Sequence, residues 1–437
     1  MGAIPIGVSF SSTAVMVGDP TWTSLDATYT VTGWTIDRGR SYELDRTGTG
    51  TATVDLIDDD GSFDPTSTPL VDVMHHAAIA LENPVTGSMA TLFRGYVSRL
   101  QWTPHTTEDF AYVRLELVDA MAILAATELP VDGSLSGATA TVSNGNLVFP
   151  AIANTEAVQA RIGDGTTYGG LLSAINWPTS LRSIFTGNVK LQQATYPPRT
   201  SALTVIMDAA DAEFPGVANV YVNKEGKVTF HGRLARFNPS DSQYEINTWN
   251  LGDATAVSAS TVVPVSPPLV ISRDDSHLYT SALSLPQWGD AQEGPSDIAN
   301  QYVTSAATAT YGLRTWSAEN LLTGGGTANT ALQETKLFGN YYTTNYDEPR
   351  TRVGQLTIRP QPPLSSSGAT AWALMCGVDI SDVVNLITTH VGGGGFSTTP
   401  FYVEGISYEA RPLNADYHDV TLTLDVSPAS YFDSNPF

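Results

Sequence analysis

Strict alternation of apolar and polar residues, broken at short intervals by turn-forming residues, is the feature that most restricts how this chain can fold. In residues 113–118, Val, Leu and Leu alternate with Arg, Glu and Val. This is the pattern of a strand with one buried face and one wet face. Glycine, proline, serine and threonine recur between such runs, as is typical of β structure. The chain is therefore predicted to be mainly β.

Further strands are predicted in the first third of the chain, at residues 41–44, 51–57, 75–81 and 93–102. The first two bracket a turn at Gly48, Thr49 and Gly50. The second ends at three aspartates followed by Gly61, and an Asp-Gly step suits a turn that requires positive φ. These runs predict strands joined by hairpins.

The end of the chain echoes a pattern from the first third. Residues 109–117 and 416–424 share the order Asp, aromatic, two variable residues, then Val, Leu and Leu at alternate positions. The preceding strands lead to Pro104 and Pro412, and the second is one residue shorter, a difference that a β-bulge would absorb. Two amphipathic strands can look alike by chance. The alternative is a pair of related β domains, which in a trimer would present six similar units around the axis.

Helix-like windows lie between these two ends. Residues 120–126 hold only residues that a helix tolerates and stop before Pro130, which places a domain boundary there. Further helices are predicted at residues 200–213 and 330–342, a hairpin at 220–231, and a connector at 240–268. We expect a mainly β fold with an α+β insertion: a first β domain over residues 1–122, a mixed middle domain over 123–262 and a second β domain over 263–437.

The charge of the chain excludes several classes of protein. Its 437 residues carry 21 Lys and Arg against 44 Asp and Glu, a formal net charge of -23. A surface that binds nucleic acid by neutralising phosphates is therefore not expected. The single cysteine, Cys376, excludes an intramolecular disulfide framework. The first residues lack the basic and apolar regions of a secretion signal, so we expect no export by that route.

Motifs for catalysis or metal binding are not found. None of the seven histidines lies in a zinc-binding pattern. His75 and His76 are predicted to point to opposite faces of a strand, one packed and one solvated, and Cys376 is expected to be a buried small hydrophobe. Residues 58–64 have the carboxylate density of a calcium loop but lack its distal glutamate, so an Asp-rich turn is favoured over calcium. We assign no catalytic, cofactor-binding or metal-binding residue and expect a protein without enzymatic activity.

Residues 38–65, which begin with Arg38, Gly39 and Arg40 and end at Pro65, resemble the N-terminal signature of minor tail proteins from long-tailed phages that infect actinobacteria. Further matches follow in order at residues 93–97, 221–230, 311–314, 348–353 and 402–424. The resemblance covers nearly the whole chain, although each motif is short.

The resemblance implies a tail-tip hub protein, similar to the baseplate hub of contractile phages. Such a protein has two related β-barrel-like hub domains that flank a mixed middle domain, and it forms a homotrimer that closes the tail tube. Its implied partners are the distal tail protein, the tape measure protein, other tail-tip proteins, genomic DNA in transit without specific binding, and the host cell envelope. The implied location is the tip of the virion tail, after assembly in the host cytoplasm.

Two positions depart from this pattern. Thr280 stands where such proteins often carry asparagine, and the chain ends at Phe437, soon after the second β domain. From the second departure we expect neither the appended cell-wall hydrolase nor the receptor-binding module that some tail-tip proteins carry, which argues against an enzymatic role.

Three functions are weighed. The first is a trimeric hub whose acidic channel lets DNA pass without holding it. The second is a cell-wall or polysaccharide hydrolase of the tail tip, which would need a cleft with two opposed carboxylates. The third is a carbohydrate-binding adhesin with exposed aromatic side chains.

Overall fold

The computed structural model describes residues 6–11, 18–25, 28–130, 140–153, 156–164, 170–239, 241–253, 261–287, 301–324, 328–360, 366–390, 395–414 and 417–432. The fold is mainly β, as the alternation predicts. Within the described ranges, no helix has both the length and the apolar composition needed to cross a bilayer.

The described residues of the first third form seven strands and one helix. They are β1 Ile6–Ser11, β2 Thr23–Ser24, β3 Thr30–Gly39, β4 Thr51–Asp58, β5 His76–Asn83, β6 Ser88–Pro104, β7 Ala111–Val118 and α1 Ala120–Ala126. Asp119 caps α1 by accepting a hydrogen bond from the backbone N–H of Met121, as an N-cap carboxylate should. The helix window that the sequence predicts here is confirmed.

The middle of the chain mixes short strands and helices. They are β8 Thr141–Ser143, β9 Asn146–Phe149, α2 Ala157–Gln159, α3 Leu171–Ala174, β10 Arg182–Ile184, β11 Ala194–Tyr196, α4 Ala202–Glu213, β12 Asn219–Val222, β13 Val228–His231, α5 Leu234–Phe237, β14 Thr248–Gly252 and β15 Val263–Pro264. The predicted helix at 200–213 and hairpin at 220–231 are confirmed by α4 and by β12 with β13.

The last third adds nine strands and three helices within the described residues. They are β16 Ile271–Arg273, β17 Ser281–Pro286, β18 Tyr302–Thr304, α6 Thr308–Tyr311, β19 Thr315–Leu321, α7 Ala328–Asn345, β20 Thr351–Val353, β21 Gln355–Ile358, α8 Ser366–Gly377, β22 Val383–Ile387, β23 Thr399–Asn414 and β24 Tyr417–Pro428. The predicted helix at 330–342 lies within α7.

Two groups of four antiparallel strands share one topology. Strands β4 to β7, the N-terminal unit, pair in the order β4-β7-β6-β5. Strands β21 to β24, the C-terminal unit, pair in the order β21-β24-β23-β22. In both units the first strand pairs with the fourth, the fourth with the third and the third with the second. The two segments that are similar in sequence, residues 109–117 and 416–424, thus belong to units with the same strand order.

The one-residue difference between the two hairpins is a β-bulge. In β6, Ser98 is the extra residue between Val97 and Arg99, which pair with consecutive residues of β7. In β23, no such shift occurs between Ile406 and Pro412. Pro104 pairs with Ala111, and Pro412 pairs with His418 at the matching position. The bulge predicted from the sequence is therefore confirmed, although Asp416 of the repeat lies outside the described residues.

Strand β3 joins the two units into one sheet. It pairs with β4 along one edge and with β23 along the other. Among the described residues the sheet contains thirteen strands, and its path from β15 to β2 does not close on itself. The barrel-like form of each end, and the domain division at 122/123 and 262/263, stay predictions.

Among the residues that the structure describes, three hydrophobic cores underlie this sheet and the middle of the chain. The two units share the largest, in which the rings of Trp34 and Tyr408 lie 6.2 Å apart. A second core lies within the middle of the chain and includes Ile206 and Phe230. The third is rich in aromatic side chains from α7 and from residues near the end of the chain.

Two local predictions are wrong. Residues 41–44 form a turn rather than a strand, and the partner of β4 is β3. The register of β3 shifts between Val31 and Gly33, which interrupts the alternation that would have revealed this strand. The connector at 240–268 contains β14 and β15, two parallel strands, and its residues 254–260 lie outside the described residues. The helix α8 was not predicted, because its run of small and apolar residues has no clear period.

Gly39 offers a test of how closely the two ends approach. Its φ is +99°, and a methyl group at its Cα would lie 2.2 Å from the carbonyl oxygen of Glu404. We expect Gly39→Ala to lower the free energy of unfolding by at least about 4 kcal/mol, since β3 must move away from β23.

The matched control is Gly61→Ala. Gly61 has a φ of +76° and no atom within 4 Å of the added methyl, so only the cost of the backbone conformation, about 1–2 kcal/mol, is expected. Urea denaturation of both variants measures the difference. Equal losses would show that the contact between β3 and β23 is not tight.

Candidate functional site

Glu404 is a fully buried carboxylate that connects three parts of the chain. It is the extra residue of a second bulge, between Val403 and Gly405 of β23. Its Oε2 accepts hydrogen bonds from Arg40 Nε at 2.8 Å and from Arg236 Nη2 at 2.9 Å, and its Oε1 accepts one from Arg236 Nη1 at 2.6 Å. The hydroxyl of Ser427 also donates to Oε1. The N-terminal third, the middle and the C-terminal third therefore meet at one side chain.

The charge of Glu404 is retained despite its burial. Burial by itself would raise the pKa of this carboxyl group, but Arg236 and Arg40 outweigh that effect and lower the pKa to about 2. Arg236 also lies over the ring of Tyr402, 4.5 Å from its centre. The cluster is thus an ion pair with two arginines that are themselves held in place.

Glu43 and Arg352 form a second buried pair. The two nitrogens Nη1 and Nη2 of Arg352 each donate to one carboxylate oxygen of Glu43, both at 3.0 Å. Burial would lower the pKa of Arg352, but the hydrogen bonds and charge of Glu43 raise it. Glu43 belongs to the turn at residues 41–44, where the sequence had predicted a strand.

A third cluster attaches the β12–β13 hairpin to the C-terminal unit. Arg38 Nη1 lies 2.9 Å from Asp379 Oδ1 and also donates to the carbonyl of Val222. The backbone N–H of Lys224 donates to Asp379 Oδ2 at 3.0 Å, and its ammonium donates to the carbonyl of Gly377 at 2.7 Å. Lys224 therefore caps the last carbonyls of α8, where a positive charge is favourable.

The segments that carry the resemblance supply several residues of these clusters, although Arg236 and Asp379 lie outside them. Arg38, Arg40 and Glu43 lie in residues 38–65, and their partners lie 309 to 364 residues away. The sequence identified the segments but not the pairs. One sequence signal could have identified a buried charge, namely a charged residue that directly follows consecutive apolar residues, as Glu404 follows Val403. The alternation of a strand does not by itself predict a carboxylate at such a position.

One face of the sheet is continuous, polar and open to solvent. Cross-strand partners in antiparallel strands point to the same face, and the register gives one row across six strands: Arg99, Glu116, Thr53, Thr35, Glu409 and Thr421. A second row crosses five strands: Thr51, Asp37, Ser407, Thr423 and Thr357. All of these residues are exposed or half-buried. We call this surface the polar face.

Three arginines of the polar face form ion pairs with carboxylates. Arg114 lies 2.7 Å from Asp55, Arg99 lies 3.3 Å from Glu116, and Arg411 lies 2.6 Å from Glu409. Asp37 of the second row is a further carboxylate, and Asp419 and Asp425 of β24 add two more beside these rows. Within the described strands this face therefore carries an excess of negative charge and offers each arginine a carboxylate partner.

The acidic loop at residues 58–64 is a hydrogen-bonded turn. The carboxylate of Asp58 accepts from the backbone N–H groups of Ser62 and Phe63 and from Trp102 Nε1, at 2.9 to 3.2 Å. These hydrogen bonds hold the turn in its conformation. In the described part of the chain, no three His, Cys, Asp or Glu side chains are grouped so that they could hold a metal ion.

The cysteine and the paired histidines are mainly packing residues. Cys376 is buried, and burial raises the pKa of its thiol to about 11, which disfavours the thiolate that a nucleophile needs. His76 is buried, whereas His75 is half-buried and accepts a hydrogen bond from the backbone N–H of Asp72. The prediction that one histidine packs inward is confirmed.

Thr280 is hydrogen-bonded to the backbone of the resembling segment at residues 311–314. Its hydroxyl donates to the carbonyl of Gly312 at 2.7 Å and accepts from the backbone N–H of Arg314 at 3.0 Å. A threonine can therefore link these two backbone groups at the position where the resembling proteins often have asparagine.

The fold matches that of two solved tail proteins. The 43 kDa tail protein of prophage MuSo2 from Shewanella oneidensis is 11% identical, with a TM-score of 0.54 over 98% of this chain and 99% of that chain. The tail protein from Neisseria meningitidis MC58 is also 11% identical, with a TM-score of 0.54 over 98% of each chain. No known protein family matches the sequence, and no well-characterised protein matches it either. The comparisons therefore show a shared fold.

Replacing Glu404 with glutamine tests the central ion pair. Glu404→Gln leaves Arg40 and Arg236 buried without a countercharge, so we expect the free energy of unfolding at pH 7 to fall by about 3–5 kcal/mol. The folded-state pKa of about 2 lies below the ordinary 4.5. The stabilisation in the native protein is therefore complete above pH 4.5 and is lost as the pH falls towards 2.

The matched control is Asp55→Asn, which removes the exposed partner of Arg114 and should cost less than about 1 kcal/mol. Urea denaturation at pH 7 and at pH 3 measures both variants. The cost of Glu404→Gln should be smaller at pH 3. A cost that does not change with pH would contradict the assigned charge.

Proposed function

We propose that this chain is a structural protein of a phage tail, namely a trimeric hub at the tail tip that closes the tail tube and opens to pass DNA. The observation that carries the proposal is the polar face, because a wall that must let DNA slide needs hydroxyl groups and paired charges rather than free cations. The shared fold with two tail proteins along nearly their whole lengths supports it.

The charge of the assembly supports passage without binding. Each chain has a net charge of -23, so a trimer has a net charge of -69, and phosphate contacts that would hold DNA need Lys or Arg side chains. We infer that the polar face lines the channel, where Arg99, Arg114 and Arg411 are already paired with carboxylates.

The repeated unit suits a position between rings of different symmetry. Two units of equal strand order in each chain give six similar units in a trimer. Such a ring could contact a six-fold tail tube on one side and a three-fold tip on the other. The proposed partners are the distal tail protein, the tape measure protein and other tail-tip proteins, with contact to the host cell envelope. The proposed location is the tail tip of the virion, after assembly in the host cytoplasm.

The buried ion pairs suit a mechanical role. A hub has to keep its parts in fixed positions while DNA moves through it, and Glu404, Glu43 and Asp379 each connect segments that are far apart in sequence. No enzymatic step is part of this proposal.

Mass photometry tests the oligomeric state. The chain has a mass of 46.5 kDa, and we expect a species of about 140 kDa whose population rises with protein concentration, together with rings in negative-stain images. A chain that remains monomeric at all concentrations and in the presence of its tail partners would refute the hub.

Charge reversal on the polar face tests whether this surface lets DNA pass without binding it. The triple variant Asp55→Lys, Glu116→Lys and Glu409→Lys frees three arginines and adds three lysines. We expect it to bind a fluorescent DNA duplex at low salt, with affinity that falls steeply as salt increases, whereas the native protein should show no binding.

A control of equal charge uses Glu108→Lys, Asp109→Lys and Glu319→Lys, three exposed positions outside the rows of the polar face. Fluorescence anisotropy compares the three proteins. Equal binding by both variants would mean that net charge, and not the polar face, determines whether DNA is held.

A further inference from the structure

A cleft lies between the N-terminal strands and the hairpin of the middle region. Its volume is about 710 Å³, within the range of small-ligand sites. Its floor consists of small side chains on three adjacent strands: Gly7 and Ser9 of β1, Ala78 and Ala80 of β5, and Thr91 of β6. Gly7 pairs with Ala80, and Ala80 pairs with Thr91, so these residues are neighbours across the sheet.

An aromatic side chain and a cation form one wall of this cleft. The guanidinium of Arg94 lies 5.3 Å from the centre of the Trp22 ring, and its Nη2 donates to the carbonyl of Gly18 at 2.5 Å. A methyl group at Gly226 would lie 2.9 Å from Arg94 Cγ. Arg94 is therefore fixed by three contacts, while Trp22 remains 37% exposed.

The charged groups of the cleft are balanced. Asp19 and Glu225 contribute two carboxylates, and Arg94 and Lys227 contribute two cations. Lys227 lies 2.6 Å from Glu225. Among the residues that the structure describes, Arg94 forms no ion pair within 4 Å. Burial of its guanidinium group lowers the pKa of Arg94. The cleft thus combines donors and acceptors with little net charge.

We propose that this cleft binds an oligosaccharide of neutral pyranose sugars. The indole ring of Trp22 can stack on the C–H face of a pyranose, because an aromatic ring has an apolar face. The small residues of the floor leave room for the ring. Asp19 and Glu225 accept hydrogen bonds from sugar hydroxyls, while Arg94 and Lys227 donate to them.

Other ligand classes fit the cleft less well. A phosphorylated or strongly acidic ligand would meet two carboxylates, and a cationic ligand would meet two cations. A neutral ligand with many hydroxyl groups uses both kinds of polar group without burying an unpaired charge.

An array of printed glycans tests the proposal with the full chain as it assembles. We expect retention on neutral hexose and N-acetylhexosamine oligomers, followed by titration of the best one by isothermal calorimetry. Trp22→Ala should weaken that binding at least tenfold, which is typical for the loss of a stacked aromatic ring.

Two further variants separate binding from folding. Ala80→Trp should block the cleft and abolish binding while Trp22 is kept, and Tyr112→Ala, which removes an aromatic side chain that is 52% exposed on another surface, should bind like the native protein. Thermal unfolding checks that each variant is folded. Retention of acidic glycans alone, no retention at all, or equal binding by the native protein, Trp22→Ala and Ala80→Trp would each overturn the proposal.

Discussion

The charge of one buried carboxylate fixes how the parts of this protein meet. Glu404 stands at a bulge in β23, and the bulge makes two consecutive side chains, Val403 and Glu404, face buried surroundings. Taking a carboxylate and two guanidinium groups out of water costs several kcal/mol per ion. The short hydrogen bonds from Arg40 and Arg236 offset that cost only if β3, β23 and α5 hold their relative positions. The ion pair therefore exists only in the arrangement that brings these three elements together.

The same alternation of residues builds both the core and the polar face. In β7, Val113, Leu115 and Leu117 enter the core, while Arg114 and Glu116 face the solvent. A period of two requires this division. Because β3 continues the sheet from one unit to the next, the polar rows of both units form one surface. The arginines of this surface are paired with carboxylates, so within the described strands the surface is solvated and carries an excess of negative charge.

The N-terminal and C-terminal units differ in what connects their strands and in how they meet the middle region. Between its first and second strands the N-terminal unit has the loop with Asp58, whereas the C-terminal unit has the helix α8. The end of α8 receives Lys224 from the middle region, so the C-terminal unit is attached to the β12–β13 hairpin. The N-terminal unit instead faces the same hairpin across the cleft beside Arg94. Units of the same topology thus differ in how they meet the β12–β13 hairpin: the C-terminal unit is hydrogen-bonded to it, and the N-terminal unit faces it across an open cleft.

Much of this was determined by the sequence alone. Alternation predicted a mainly β chain, the Asp-Val-Leu-Leu pattern predicted two similar hairpins, and the difference of one residue predicted a bulge, which the structure places at Ser98. These properties are local, because each depends only on the spacing of side chains along a strand or on the residues of a turn. The helices α1, α4 and α7 could be predicted for the same reason.

Only the tertiary structure decided the rest. Residues 41–44 alternate like a strand, yet they form a turn, in which Glu43 pairs with Arg352, a residue that lies 309 positions away. No local pattern shows that Arg40 and Arg236 share Glu404, that β3 joins the two units, or that Trp22 stands beside Arg94. Contacts between distant residues depend on which strands become neighbours, and burial then decides whether a charged side chain must find a partner.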